Sequence, residues 1–177
     1  LHAGDFFCSE NTLKKIDQFL RKNSDYDFYF SNIAYYKNKK VSRLWRMPVY
    51  KIDSLSFLKI PHTSLCIKRK VAKKIKYKTN YKISSDICYL IEICKNYKGK
   101  YLDFYSVFME SGGLSTSFNS FYKKFKEDFS ILFKEYNIFF FIFWIYKIII
   151  KIPGYFLNKQ GPNLEFLKTR KKLKLFY

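Results

Sequence analysis

Stretches with a two-residue apolar period alternate along this chain with stretches of helical period, and that alternation constrains the fold more than any other feature. Leu1 to Asp5 reads as the end of a strand. Ser9-Glu10-Asn11 then offers capping side chains to a helix from Thr12 to Lys22, with Leu13, Ile16, Phe19 and Leu20 on one stripe. Asp27 to Tyr36 and Val41 to Tyr50 read as strands, the second ending near Pro48, and Asn38 marks the turn between them. Ser64 to Lys68 reads as a short strand and Val71 to Lys76 as at most a basic helical turn. Ser85 to Tyr97 has helical spacing, with Ser84 or Ser85 as cap and Gly99 as stop. Tyr101 to Met109 alternates aromatic and polar residues as a strand does, Gly112-Gly113 breaks it, and Ser117 to Tyr136 is an amphipathic helix. Strands followed by helices predict an α/β domain.

The chain's 177 residues suit one domain, and a hydrophobic content of 48% supplies a core without disulfide or metal staples. A net charge of +20 points to a polyanionic partner: nucleic acid, an anionic membrane or a phosphorylated ligand. The excess is nearly all lysine, beside abundant Ile, Asn, Phe and Tyr, which is also what an A/T-rich coding sequence produces. Arginine is confined to Arg21, Arg43, Arg46, Arg69 and Arg170, so the forked donor that reads base edges is scarce and specific nucleic-acid recognition is excluded. Cys8, Cys66, Cys88 and Cys94 form no C-x-x-C pair and no metal-ligand spacing, which predicts reduced, cytosolic thiols. Leu1 replaces an initiator methionine and no secretory leader follows it, so the sequence reads as a fragment or an internal start.

Few residues carry recognisable chemistry. Asp86 falls in the first turn of a helix, where the dipole favours a carboxylate and where the same carboxylate can serve as a general base. His62 follows Pro61 just ahead of a short strand, either as a structural residue or as a donor to a phosphate or hydroxyl oxygen. Asp5 flanks the first helix. Gly112-Gly113-Leu114-Ser115 is either a turn or an anion-binding concavity of freed backbone N–H groups.

Three segments, in order and at compatible spacing, resemble family-2 glycosyltransferases: Leu1-His2-Ala3-Gly4-Asp5, the stretch from Ile60-Pro61-His62 to Ser84-Ser85-Asp86, and Gly112-Gly113-Leu114-Ser115. The resemblance covers residues 1–136 and corresponds to the acceptor-side portion of a GT-A type domain, a mixed sheet with flanking helices. The family's front half, which binds the nucleotide, has no counterpart here.

The resemblance implies an inverting enzyme that moves a sugar from a nucleotide-diphosphate donor to a lipid-linked or polysaccharide acceptor, with Asp86 as catalytic base. His62, Gly112, Gly113 and Ser115 would shape the diphosphate or acceptor pocket. Asp5 would hold a divalent metal, Mn or Mg, on the diphosphate. Three positions depart from the family pattern. Ser85 replaces a common glutamate, His2 stands where Asp or Asn is usual, and Gly4 replaces an acid that binds metal in many members.

Beyond Asn137 the composition changes. Ile138 to Ile150 is almost wholly apolar, broken by Lys147 and followed by Lys151. About ten Ile and Phe at roughly −0.5 kcal/mol each offset two lysines at about +3 each, so spanning a bilayer is near break-even. Lys147 and Lys151 share a helix face, which suits a helix lying in the interface, and Lys168, Arg170, Lys171, Lys172 and Lys174 add attraction to anionic lipid. The chain divides into a domain over 1–136 and an apolar, basic tail over 137–177, attached to the cytoplasmic face of the membrane. Two other readings compete: a non-enzymatic basic module binding nucleic acid or anionic membrane, and an inactive glycosyltransferase remnant.

Overall fold

The computed structural model describes residues 1, 4–46, 49, 51–111, 118–139, 142, 145 and 149. The elements run β1 (Phe6–Phe7), α1 (Thr12–Lys22), β2 (Phe28–Lys37), β3 (Lys40–Trp45), β4 (Cys66–Ile67), α2 (Arg69–Ala72), α3 (Ser85–Asn96), β5 (Gly99–Glu110) and α4 (Phe118–Tyr136). Single 3-10 turns occupy Ser56–Leu58, His62–Ser64 and Asn137–Phe139. The sheet order is β1-β5-β2-β3, with β4 also paired to β2. β2 and β5 are parallel and every other pair is antiparallel. The chain is thus an α/β protein built on a mixed sheet with flanking helices.

Residues 28–34 of β2 are all buried, and residues 101–108 of β5 are buried except Asp103. That continuous burial is what parallel strands covered on both faces require. Phe28 and Phe30 pack with Ile87, Ile91 and Ile93 of α3 and Ile131 and Leu132 of α4 in the largest apolar cluster. Tyr29 joins Ile16 of α1, Leu102 and Phe104 in another. β2 and β3 form a hairpin whose turn residues Asn38 and Lys39 both take positive φ, 50° and 59°, as a tight turn with the strands' own twist demands.

Several local expectations need correction. The first strand follows Asp5 rather than ending at it, and the stripe of α1 centres on buried Thr12 and Ile16 while Leu13 is exposed. The short strand expected over Ser64 to Lys68 holds only Cys66–Ile67, because His62–Ser64 closes a 3-10 turn. Gly99 does not stop α3, which ends at Asn96; it opens β5 where a Cβ would collide with the Phe28 ring. Neither Ser84 nor Ser85 caps α3 through its side chain. Glu127 of α4 instead anchors the loop just ahead of the helix, accepting from the backbone N–H of Lys82 at 3.1 Å and of Ile83 and Ser84 at 2.9 Å.

The boundary at residue 137 falls at the 3-10 turn after α4, and the basic tail, with Lys168 to Lys174, lies outside the described residues. No helix among the described residues is long and apolar enough to cross a membrane.

Candidate functional site

The site is assembled from a turn fixed on β2 and the first turn of α3. Ser64 anchors the turn. Its hydroxyl accepts from Ser31 N–H at 3.1 Å and lies 2.9 Å from Ser31 C=O and 3.0 Å from Pro61 C=O, so the His62–Ser64 turn is bound to the middle of β2. α3 brings Asp86. After Asn96 a two-residue link leads into β5, and the turn is fixed at the level where Ser31 pairs with Leu102.

There the two side chains meet. His62 Nδ1 lies 3.2 Å from Asp86 Oδ2, with 28% and 24% of the respective side chains exposed. The other carboxylate oxygen, Oδ1, accepts the backbone N–H of Ile87 at 3.0 Å. Asp86 is thus tied to its helix start by one oxygen and oriented by an imidazole through the other, with part of the carboxylate still open to solvent. A carboxylate so held is a competent proton acceptor. Three buried hydroxyls flank the pair without a protein hydrogen-bond partner among the described residues: Thr63 Oγ1, Ser84 Oγ and Ser85 Oγ. Buried hydroxyls are ordinarily paired, so three beside one ion pair mark a polar locus.

The parallel β2/β5 register breaks at the same level. Ser31 faces Leu102 but Asn32 faces Tyr105, so Asp103 and Phe104 form a bulge in β5. Bulges redirect side chains. Asp103 there receives Arg46 Nε at 3.2 Å on Oδ1 and Nη2 at 2.9 Å on Oδ2. Buried Asn32 donates to Asp103 Oδ1 at 3.3 Å, and the Tyr101 hydroxyl lies 2.7 Å from Asn32 Oδ1 and 2.8 Å from Asp103 Oδ1. The Arg46 guanidinium, with Tyr101 and Asn32, holds the Asp103 carboxyl below the usual carboxylate range. Burial first, then Asp103, pushes the Tyr101 phenol up to about 12. The cluster fixes a half-exposed guanidinium whose Nε–Nη2 edge is taken by Asp103.

Sequence reading missed this cluster because its members are scattered over β2, β3 and β5. The only local signal was an arginine in a lysine-dominated chain.

Asp5 stands apart from the pair. It precedes β1, with Gly4 (φ +89°) accepting from the Tyr36 hydroxyl at the far end of β2. β1 is the sheet's edge strand and Phe6 pairs with Phe108, whereas the His62 turn is tied to Ser31, which pairs with Leu102, so Asp5 lies toward one edge and roughly 20 Å along the sheet from that level. Gly4 takes φ +89°, so an acidic side chain at that position would be strained. Among the described residues no group of three His, Cys, Asp or Glu forms a metal-binding arrangement. His2, Gly112, Gly113 and Ser115 lie outside the described residues.

Burial pushes the thiols of Cys8, Cys66, Cys88 and Cys94 up, which removes them as nucleophiles near neutrality. A cavity of about 200 Å³ between α3 and α4 is lined by Lys78, Lys95 and Glu135 among others, on the Cys88, Ile91, Lys95 stripe of α3. Its Glu135 is engaged by Lys95 at 2.8 Å and Lys78 at 3.6 Å, a clamp between helices rather than a reactive group. No protein-family model, no curated protein and no solved structure matches the chain. What fold and site define is therefore a class: a mixed α/β domain with an oriented, part-open carboxylate over a break in its central strands.

Proposed function

We propose that the chain is the acceptor-side part of an inverting, GT-A type glycosyltransferase, with Asp86 as the base that takes the proton from an acceptor hydroxyl. The observation that carries this reading is the 3.2 Å contact between His62 and Asp86. These two residues are 24 apart in sequence and stand out there as separate signals, yet the fold joins them. In the reaction the acceptor oxygen attacks the anomeric carbon, its proton passes to Asp86, and the bond from that carbon to the diphosphate breaks on the opposite face. His62 keeps the carboxylate aimed and, when protonated, shares its negative charge.

The departing diphosphate needs positive charge. Arg46 is a candidate for part of it, held at the β5 bulge on the side of the sheet shared with Tyr101 and the α3 cluster. Asp5 remains a candidate ligand for Mn or Mg. When bound, the metal would neutralise the diphosphate. The donor is a nucleotide-diphosphate sugar and the acceptor a lipid-linked or polysaccharide glycan.

A membrane location has its own support. Tyr122, Phe125, Phe129 and Phe133 lie three or four apart on α4 and are 63%, 37%, 38% and 54% exposed. Phe139, Ile142, Ile145 and Ile149 beyond it are exposed as well. Exposed Lys123, Lys126 and Lys134 flank the stripe, the arrangement of a helix that rests on an anionic bilayer.

The test is transfer by the full-length gene product of Asp86→Asn, followed as release of nucleoside diphosphate. The expected outcome is a kcat at least about 100-fold lower with donor affinity within about two-fold, as loss of a general base requires. Turnover near wild type would remove the assignment.

A further inference from the structure

Tyr77 is an exposed aromatic ring held rigid one helical turn from the carboxylate. It lies in the loop between α2 and α3, is 53% exposed, and stacks flat on Tyr89 with ring centroids 4.4 Å apart and planes 4° from parallel. Tyr89 is buried in the main cluster, so the lower ring is fixed by packing. On α3, Tyr89 follows Asp86 by three residues, which places the two on one face about 5–6 Å apart at Cβ, and helical side chains lean toward the N-terminus. The stack therefore leans toward the carboxylate. In agreement, Tyr77's phenol is raised by burial and then by the negative charge of Asp86.

A tyrosine that gives one face to a buried neighbour has its other face left for a ligand. Half-exposed aromatic rings normally lose ordering freedom when they bind, and this one is already ordered by its stack. The group beside a catalytic base is the acceptor, since the base must reach the acceptor's hydroxyl. Pyranose rings present a face of C–H bonds carrying slight positive charge, which complements the negative face of an aromatic ring. We propose that Tyr77 is the stacking platform for the acceptor sugar, seating a pyranose so that one hydroxyl reaches Asp86. The proposal rests on the glycosyl-transfer reading and adds the substrate class bound at that end of the site. Tyr77 acts on binding and orientation, with the proton transfer left to Asp86.

Saturation-transfer NMR on the full chain, with methyl β-glucoside, methyl β-galactoside and methyl β-N-acetylglucosaminide as probes, tests it. At least one probe is expected to receive saturation on one ring face from wild type and from Tyr77→Phe, and Tyr77→Trp should match or exceed them. Tyr77→Ala should weaken binding about ten-fold, the loss of one aromatic contact, while the protein stays folded with a melting temperature lowered only by the lost stack on Tyr89. Equal transfer to Tyr77→Ala, or no transfer from wild type to any probe, would overturn the proposal. In the full-length enzyme Tyr77→Ala should raise the acceptor KM with little change in kcat. An unchanged acceptor KM would sink the platform and leave the base standing, whereas turnover by Asp86→Asn would sink the base and leave the platform standing.

Discussion

The Ser64 hydroxyl touches both the N–H and the C=O of Ser31 and the carbonyl of Pro61, and through them it fixes where His62 stands. Removing a buried hydroxyl that satisfies a backbone donor leaves that donor unpaired in the sheet. Ser64→Ala should therefore cost about 1–3 kcal/mol in urea unfolding and, in the full-length enzyme, lower kcat through a loosened His62 turn. Stability and kcat both unchanged would mean that the turn is held by other contacts. Asp86 divides its two oxygens between local structure and a distant partner. It supplies one oxygen to the start of its helix, as a dipole partner would, and the other to His62.

At the scale of elements, α3 is held in place from outside. Glu127 reaches across from α4 to three backbone N–H groups of residues 82–84, just ahead of Asp86, so the helix that carries Asp86 is set by the helix behind it. Burial works to raise the Glu127 pKa, but the N–H donors of Ile83, Ser84 and Lys82, with Lys123, outweigh it and the net shift is downward. A carboxyl whose folded pKa is depressed stabilises fully above its unfolded pKa and loses that contribution as pH falls through the folded value. Wild type should therefore lose stability between about pH 5 and pH 3 more steeply than Glu127→Gln, while the variant is about 1–3 kcal/mol weaker at neutral pH. Parallel pH curves for the two proteins would show that the Glu127 anchor contributes nothing.

Periodicity foretold α1, α3, α4, β2 and β5 within two residues, because packing reinforces the pattern the sequence already carries, but the strand expected over Val41 to Tyr50 ends at Trp45. It could not reveal the anchor from Glu127, the Phe28 ring against Gly99 or the bulge at Asp103, since each depends on a partner more than forty residues away. The His62 and Asp86 motifs were legible as separate signals, and their meeting was not. Tyr77 and Arg46 were visible only as one aromatic and one arginine among many.

Across the whole molecule, the base's helix and the exposed aromatic stripe are joined by one element. The inner side of α4 holds α3 through Ile131, Leu132 and Glu127, while its outer side presents Tyr122, Phe129 and Phe133. A bilayer gripping that outer side would hold the site at a fixed height above the lipid, which suits a lipid-linked acceptor. Replacing both Phe129 and Phe133 by Ser should weaken partitioning onto phosphatidylglycerol-containing vesicles about ten-fold or more at constant salt, through lost apolar burial. Binding indifferent to those two residues would assign membrane attraction to lysine charge alone.

The central claim is that residue 86 supplies the base. It is tested most directly by turnover of the full-length Asp86→Ala protein with and without added formate, a small carboxylate able to enter the space left by the side chain. The account predicts an inactive variant whose nucleotide-diphosphate release is partly restored as formate rises. Wild-type turnover by Asp86→Ala in the absence of formate would contradict it.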